Sequence, residues 1–162
     1  MISDQALRSF LEENPQAAAI DAARATGCTE AEVLTAQSVK VVQLQNTTAK
    51  LVLDEVHQWD QVLVLIRNAD AVAELTVPGH KLILSEEGWL NYLEEGANLH
   101  VRISATKEVL GLIRMGKVGL TYSFNLVSET GEVFCRFYPR TAGDIAAFKA
   151  FCRRVDIEST NM

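Results

Sequence analysis

Three histidines occur in this 162-residue chain, and one of them stands in a pattern that builds a site. In Leu99-His100-Val101-Arg102-Ile103 the apolar residues alternate with His100 and Arg102. A β-strand sends successive side chains to opposite faces, so an imidazole and a guanidinium share one face, ~7 Å apart along the strand. Neutral imidazole ligates metals and a guanidinium pairs with carboxylates, so the pair suits a planar anionic ligand that carries a metal. The same alternation also describes the solvated side of an antiparallel strand, with Arg102 in a cross-strand salt bridge. His80, after Pro78-Gly79, reads as an exposed turn residue, and His57 as a boundary residue of a packed helix.

The remaining motifs carry less chemistry. Gly111 to Val118 nearly spells a phosphate loop, but Val118 offers no hydroxyl to magnesium, and a β-rich run follows where the motif needs a helix. A hairpin turn accounts for it. Glu86-Glu87 and Glu94-Glu95 lie beside glycines and read as solvated turn charges rather than an acid/base pair. Cys28, Cys135 and Cys152 are odd in number and widely spaced, which implies neither a disulfide framework nor a zinc site. With no apolar leader at the start, the expectation is a reduced, cytoplasmic protein without membrane insertion. The net charge of −6 works against nucleic-acid binding.

The elements that must position these residues follow from periodicity. Residues 3–37 read as a small helical unit: a run to Glu13, a break at Asn14-Pro15, a second run to Thr26 stopped by Gly27, and a third helix opened by a Thr29/Glu32 capping box. Ala17 to Ala36 thus has the outline of a helix-turn-helix, yet its second helix begins Thr29-Glu30-Ala31-Glu32 and carries no donors for phosphate. Residues 39–44 predict a strand, 47–59 a helix, and 61–67 and 71–77 a hairpin. Strands are then expected over 81–84, 89–93 and 99–104, with Ser104 on the face of His100, then over 109–115, 118–127 and 132–138. In residues 118–127 strict alternation predicts one polar, solvent-facing side. Thr141 and Asp144 form a second capping box before a C-terminal helix. Short turns between neighbouring strands imply an α+β fold with an antiparallel sheet, and residues 1–162 read as one domain.

In this order the segments resemble the HutX/ChuX-type haem-utilisation carriers, themselves similar to one half of the HemS/ChuS haem proteins. The likeness rests on Gly27-Cys28-Thr29-Glu30-Ala31-Glu32-Val33-Leu34, Val56-His57-Gln58-Trp59 with Val62, and Arg67-Asn68-Ala69-Asp70. It continues through Trp89-Leu90-Asn91-Tyr92-Leu93 to Leu99-His100-Val101-Arg102, and through Phe124-Asn125 to Gly131 and Phe134. The resemblance implies a saddle-like antiparallel sheet flanked by helices, a homodimer, and haem as ligand in bacterial haem-iron utilisation. It implies His100 as the axial iron ligand, Arg67 and Arg102 for propionates or polar distal contacts, and Tyr122 and Phe137 as ring-packing residues whose other reading is the core. Arg67 replaces the histidine of the family's H-N-x-D segment, so bis-histidine ligation by these two positions is excluded. The alternatives are a non-haem regulatory or adaptor domain that keeps the fold, and a haem-degrading protein.

Overall fold

The computed structural model of the chain describes residues 4–44, 48–68 and 70–160. Three short helices come first: α1 (Asp4–Glu13), α2 (Ala19–Thr26) and α3 (Glu30–Ala36). The expected capping box opens α3: the Glu32 N–H donates to Thr29 Oγ1 at 3.2 Å, and the Glu32 carboxylate accepts from the Thr29 N–H at 2.7 Å. Ser3 and Thr47, expected to open helices, lie outside the described residues. There follow β1 (Ser38–Gln43), α4 (Ala49–Val56), β2 (Val62–Arg67), β3 (Val72–Val77), β4 (Ile83–Leu84), β5 (Trp89–Glu94) and β6 (Ala97–Arg102). The chain closes with β7 (Glu108–Gly116), β8 (Gly119–Val127), β9 (Val133–Pro139) and α5 (Ala142–Thr160). No helix among the described residues is long and apolar enough to cross a membrane.

The strands pair antiparallel, as expected, but in two sheets rather than one. A six-stranded sheet has the order β1-β7-β8-β9-β2-β3, and β4, β5 and β6 form a separate three-stranded sheet. The division falls at Pro78-Gly79, where proline lacks the N–H that would extend β3. Gly79 then donates its N–H to the Trp59 carbonyl at 3.1 Å. A side chain there would meet the Val56 carbonyl at 2.2 Å, so glycine alone lets the chain lie against the end of α4. His57 supports the same corner, its Nδ1 3.2 Å from the Leu82 carbonyl.

Each face of the large sheet is packed against other elements. On one face Val62, Val64, Phe124, Leu126, Cys135 and Phe137 meet Val52 and Val56 of α4, Phe148 and Phe151 of α5, and Leu90 and Val101 of the small sheet. Aromatic rings tie this core together: Trp59 stacks on Phe124 at 5.7 Å, and Phe124 touches Phe148 at 4.7 Å. Burial pushes the Cys135 thiol up to about 12, consistent with a core filler rather than a nucleophile. On the other face Leu110, Leu112, Val127 and Val133 are covered by Leu7, Ala22, Val33 and Leu34 of the N-terminal helices.

That cover corrects the expectation for β8 and also fixes how α3 lies. The polar side of β8 does not face solvent: Ser123 and Asn125 are 4% and 1% exposed. Asn125 Nδ2 is instead satisfied by Ser123 Oγ at 2.9 Å and the Leu110 carbonyl at 3.3 Å. Nor does α3 project as a recognition helix, because Glu30, Val33 and Leu34 are buried against the sheet. The Glu30 carboxylate pairs with Arg136 of β9 and accepts the Val133 N–H at 3.1 Å.

The C-terminal capping box joins α5 to the α4–β2 corner. Asp144 donates its N–H to Thr141 Oγ1 at 3.1 Å, and its carboxylate accepts the N–H groups of Thr141 at 3.0 Å and Asp60 at 2.8 Å. Burial alone would raise this carboxyl, but hydrogen bonds from Thr141, Asp60 and Gln61 outweigh it and hold it below the usual carboxylate range.

Two outcomes follow. Glu30→Ala leaves the Arg136 guanidinium buried without its partner and should cost about 3–5 kcal/mol in denaturant unfolding, with the loss far smaller in Glu30→Ala/Arg136→Met. Asp144 contributes stability above its unfolded pKa near about 4 and loses it as pH falls through its lower folded value. Asp144→Asn should therefore flatten the acid limb of the stability–pH curve.

Candidate functional site

The outer face of the small sheet is fixed by what its inner face buries. Leu90 of β5 and Val101 of β6 pack into the aromatic core, which turns their neighbours outward. The β5–β6 pairing sets Trp89 opposite Arg102, Asn91 opposite His100 and Leu93 opposite Asn98, while Ile83 of β4 lies beside Asn91. Residues directly opposite share a face, so Ile83, Asn91 and His100 form one row across the three strands. The register is set by the two-residue turn between Glu94 and Ala97, where Gly96 takes φ 83°, a left-handed conformation suited to glycine.

The face combines polar tips with exposed apolar surface. His100 is exposed, and its Nδ1 lies 2.7 Å from Asn91 Oδ1. Arg102 is exposed as well, its guanidinium carbon 4.9 Å from the centre of the Trp89 ring, so a cation–π contact holds the planar group ready for an anion. Ile83 is 54% exposed and Leu93 63%. Beside Asn91 the face dips into a groove of about 370 Å³ lined by His80, Lys81, Ile83, Leu93 and Glu94. Across it Lys81 and Glu94 form an ion pair at 2.6 Å, and the hydrogen bond that the lysine donates to this partner raises its pKa. Larger grooves exist, one of about 1000 Å³ beside α1 and α3, but none of its lining residues is a histidine.

Of the residues singled out in the sequence, His100 and Arg102 are brought together. Ser104 leaves their face, because β6 ends at Arg102 and the chain turns through a 3-10 helix over Ile103–Ala105. Arg67 ends β2 in the other sheet. Ile66 packs on the core, so alternation turns Arg67 away from it, and within one protomer Arg67 and His100 share no face. The Arg67 Nε is buried without a hydrogen-bond partner. Tyr122 and Phe137 lie inside the large sheet's packing, the core reading that the sequence also allows. Tyr122 sits edge-on to Phe148 at 5.8 Å beneath Lys149 of α5, and Phe137 is fully buried. Both stand at strand positions that point toward the helices, so neither reaches the face of His100.

Trp89, Asn91 and Leu93 count in the sequence only toward the family resemblance, and neither they nor Ile83 are singled out there as site residues. The signal that finds three of them is the alternation of Trp89-Leu90-Asn91-Tyr92-Leu93 combined with a two-residue turn at Glu95-Gly96.

Over residues 42–151 the sequence matches the family model for haem utilisation, ChuX/HutX. No curated protein sequence matches the chain. Among solved structures it is similar to the heme-binding protein ChuX, at 20% identity and a TM-score of 0.70, covering 92% of this chain and 98% of that one. It is similar to holo-PhuS, a heme-binding protein from Pseudomonas aeruginosa, at 20% identity and a TM-score of 0.76. It is also similar to ChuS, a heme degrading enzyme of Escherichia coli, at 20% identity and a TM-score of 0.77. These last two matches cover 93% of this chain but 44% and 45% of the longer proteins. At such identities the likeness is one of fold, and the site must be argued from its own residues.

The placement of Phe137 and Arg102 separates core from site. Phe137→Ala should cost about 3–5 kcal/mol in global unfolding, whereas Arg102→Ala, on an exposed face, should cost less than about 1 kcal/mol.

Proposed function

Since the chain belongs to the haem-utilisation ChuX/HutX family, we propose that it binds haem on the outer face of the small sheet, with His100 as the axial iron ligand. The observation that carries this reading is an exposed imidazole flanked on one face by a guanidinium held over an indole and by exposed Ile83 and Leu93. Haem asks for each of these: a nitrogen ligand for iron, cationic partners for two propionates, and apolar contact for the macrocycle. Among the described residues no group of three or more His, Cys, Asp and Glu is placed to hold a metal ion. An imidazole outside any such group suits a metal that arrives with most of its ligands already in a macrocycle.

In this reading His100 supplies the axial nitrogen and Arg102, braced by Trp89, meets a propionate. Bound haem brings iron coordination and redox chemistry of its own, while the protein contributes orientation and the polarity of the pocket. Arg67 takes part only if a second copy provides it, because within one chain it shares no face with His100. The reading is therefore of a homodimer, and PhuS and ChuS, more than twice as long as the segments matched here, are consistent with two such units acting together. The proposed role is haem carriage in the cytoplasm.

Titration of the apo protein with hemin tests the proposal. A saturable Soret band is expected, and His100→Ala should weaken binding by more than the roughly 10–100-fold that loss of an outer-shell partner costs a metal site. Arg102→Ala should weaken it less and leave the ligation spectrum unchanged. The absence of saturable binding, or His100→Ala behaving as the wild type, removes the assignment.

A further inference from the structure

The geometry points to Asn91 as the residue that selects the His100 tautomer and so decides which ring nitrogen is offered to a ligand. This inference rests on the haem-binding reading above and adds to it a positioning residue.

The chain of reasoning begins at a backbone carbonyl. Asn91 Nδ2 donates to the Trp89 carbonyl oxygen at 3.2 Å. That oxygen also accepts the Ser85 N–H at 2.8 Å, which its two lone pairs allow. A carbonyl cannot donate, so the amide of Asn91 has one orientation that satisfies it. Turning the amide over would set two oxygens against each other. With Nδ2 committed, Asn91 presents Oδ1 to the imidazole, 2.7 Å from His100 Nδ1. Oδ1 has no proton to give. His100 Nδ1 must therefore carry one, and in the neutral ring Nε2 is left with a free lone pair. Nε2 has no hydrogen-bond partner among the described residues.

The arrangement follows from the fold at every step. The two-residue turn at Glu95-Gly96 puts Asn91 opposite His100, and burial of Leu90 and Val101 places both side chains on the outer face. An outer-shell acceptor on the non-ligating nitrogen fixes the orientation of a metal-binding histidine and raises its basicity. Asn91 fills that position here, although nothing in its residue type or its distance along the sequence from His100 announces it.

Long-range 15N–1H NMR of the apo protein, at a pH where the ring is neutral, reads the tautomer directly and does not involve haem. The Nδ1–H form is expected for His100 in the wild type and in Asn91→Asp, which keeps an acceptor. Asn91→Leu should shift the ring toward the Nε2–H form that free imidazole side chains favour. Hemin affinity should then fall about 10–100-fold in Asn91→Leu and recover in Asn91→Asp. An Nε2–H ring in the wild type, or an unchanged tautomer in Asn91→Leu, overturns the assignment. So does a tautomer shift that leaves hemin affinity unaltered. Failure of the parent reading is separately visible, because His100→Ala would then bind hemin like the wild type whatever tautomer the NMR reports.

Discussion

Burial of Leu90 and Val101 against the aromatic core governs the outer face of the small sheet. In an isolated three-stranded sheet either face could turn to solvent. Here one face must join the buried cluster that includes Phe124 and Phe137, and a strand period of two then leaves no freedom for the other. His100 and Arg102 are exposed, and Asn91 and Trp89 half-exposed beside them, because their neighbours are buried. A one-residue slip in the β5–β6 register would put His100 into the core and an apolar residue in its place, so the hydrophobic energy that stabilises the fold also holds the site.

The large sheet obeys a different rule. Both of its faces are covered, one by α4, α5 and the small sheet, the other by the N-terminal helices. The second interface is not purely apolar, since Glu30 of α3 meets Arg136 of β9 with both side chains almost fully buried. Such a pair adds little net stability over an apolar replacement, but it fixes where α3 can dock. The N-terminal unit thereby covers one face of the large sheet, while the small sheet leaves His100 and Arg102 open to solvent.

Much of this was legible in the sequence. The capping boxes at Thr29/Glu32 and Thr141/Asp144 were readable because hydroxyl and carboxylate three residues apart bond the same helix end wherever it sits. The alternation that placed His100 beside Arg102 was readable for a similar local reason. What local patterns could not supply was pairing between distant strands. Treating 94–98 as a longer connection hid the register that sets Asn91 against His100, and the solvated reading of Ser123 and Asn125 failed because the helices that cover them lie some ninety residues earlier in the chain. Arg67 shows the same limit, since its type and segment were plain but its place in a different sheet from His100 was not.

The account reduces to a claim about one nitrogen atom on one exposed strand. Chemical rescue tests it most directly: haem-loaded His100→Gly, its axial position vacated, is examined by absorption and resonance Raman spectroscopy with and without free imidazole. The account predicts that the variant loses the wild-type ligation spectrum and regains it when imidazole is added. A wild-type spectrum from His100→Gly without imidazole would contradict it.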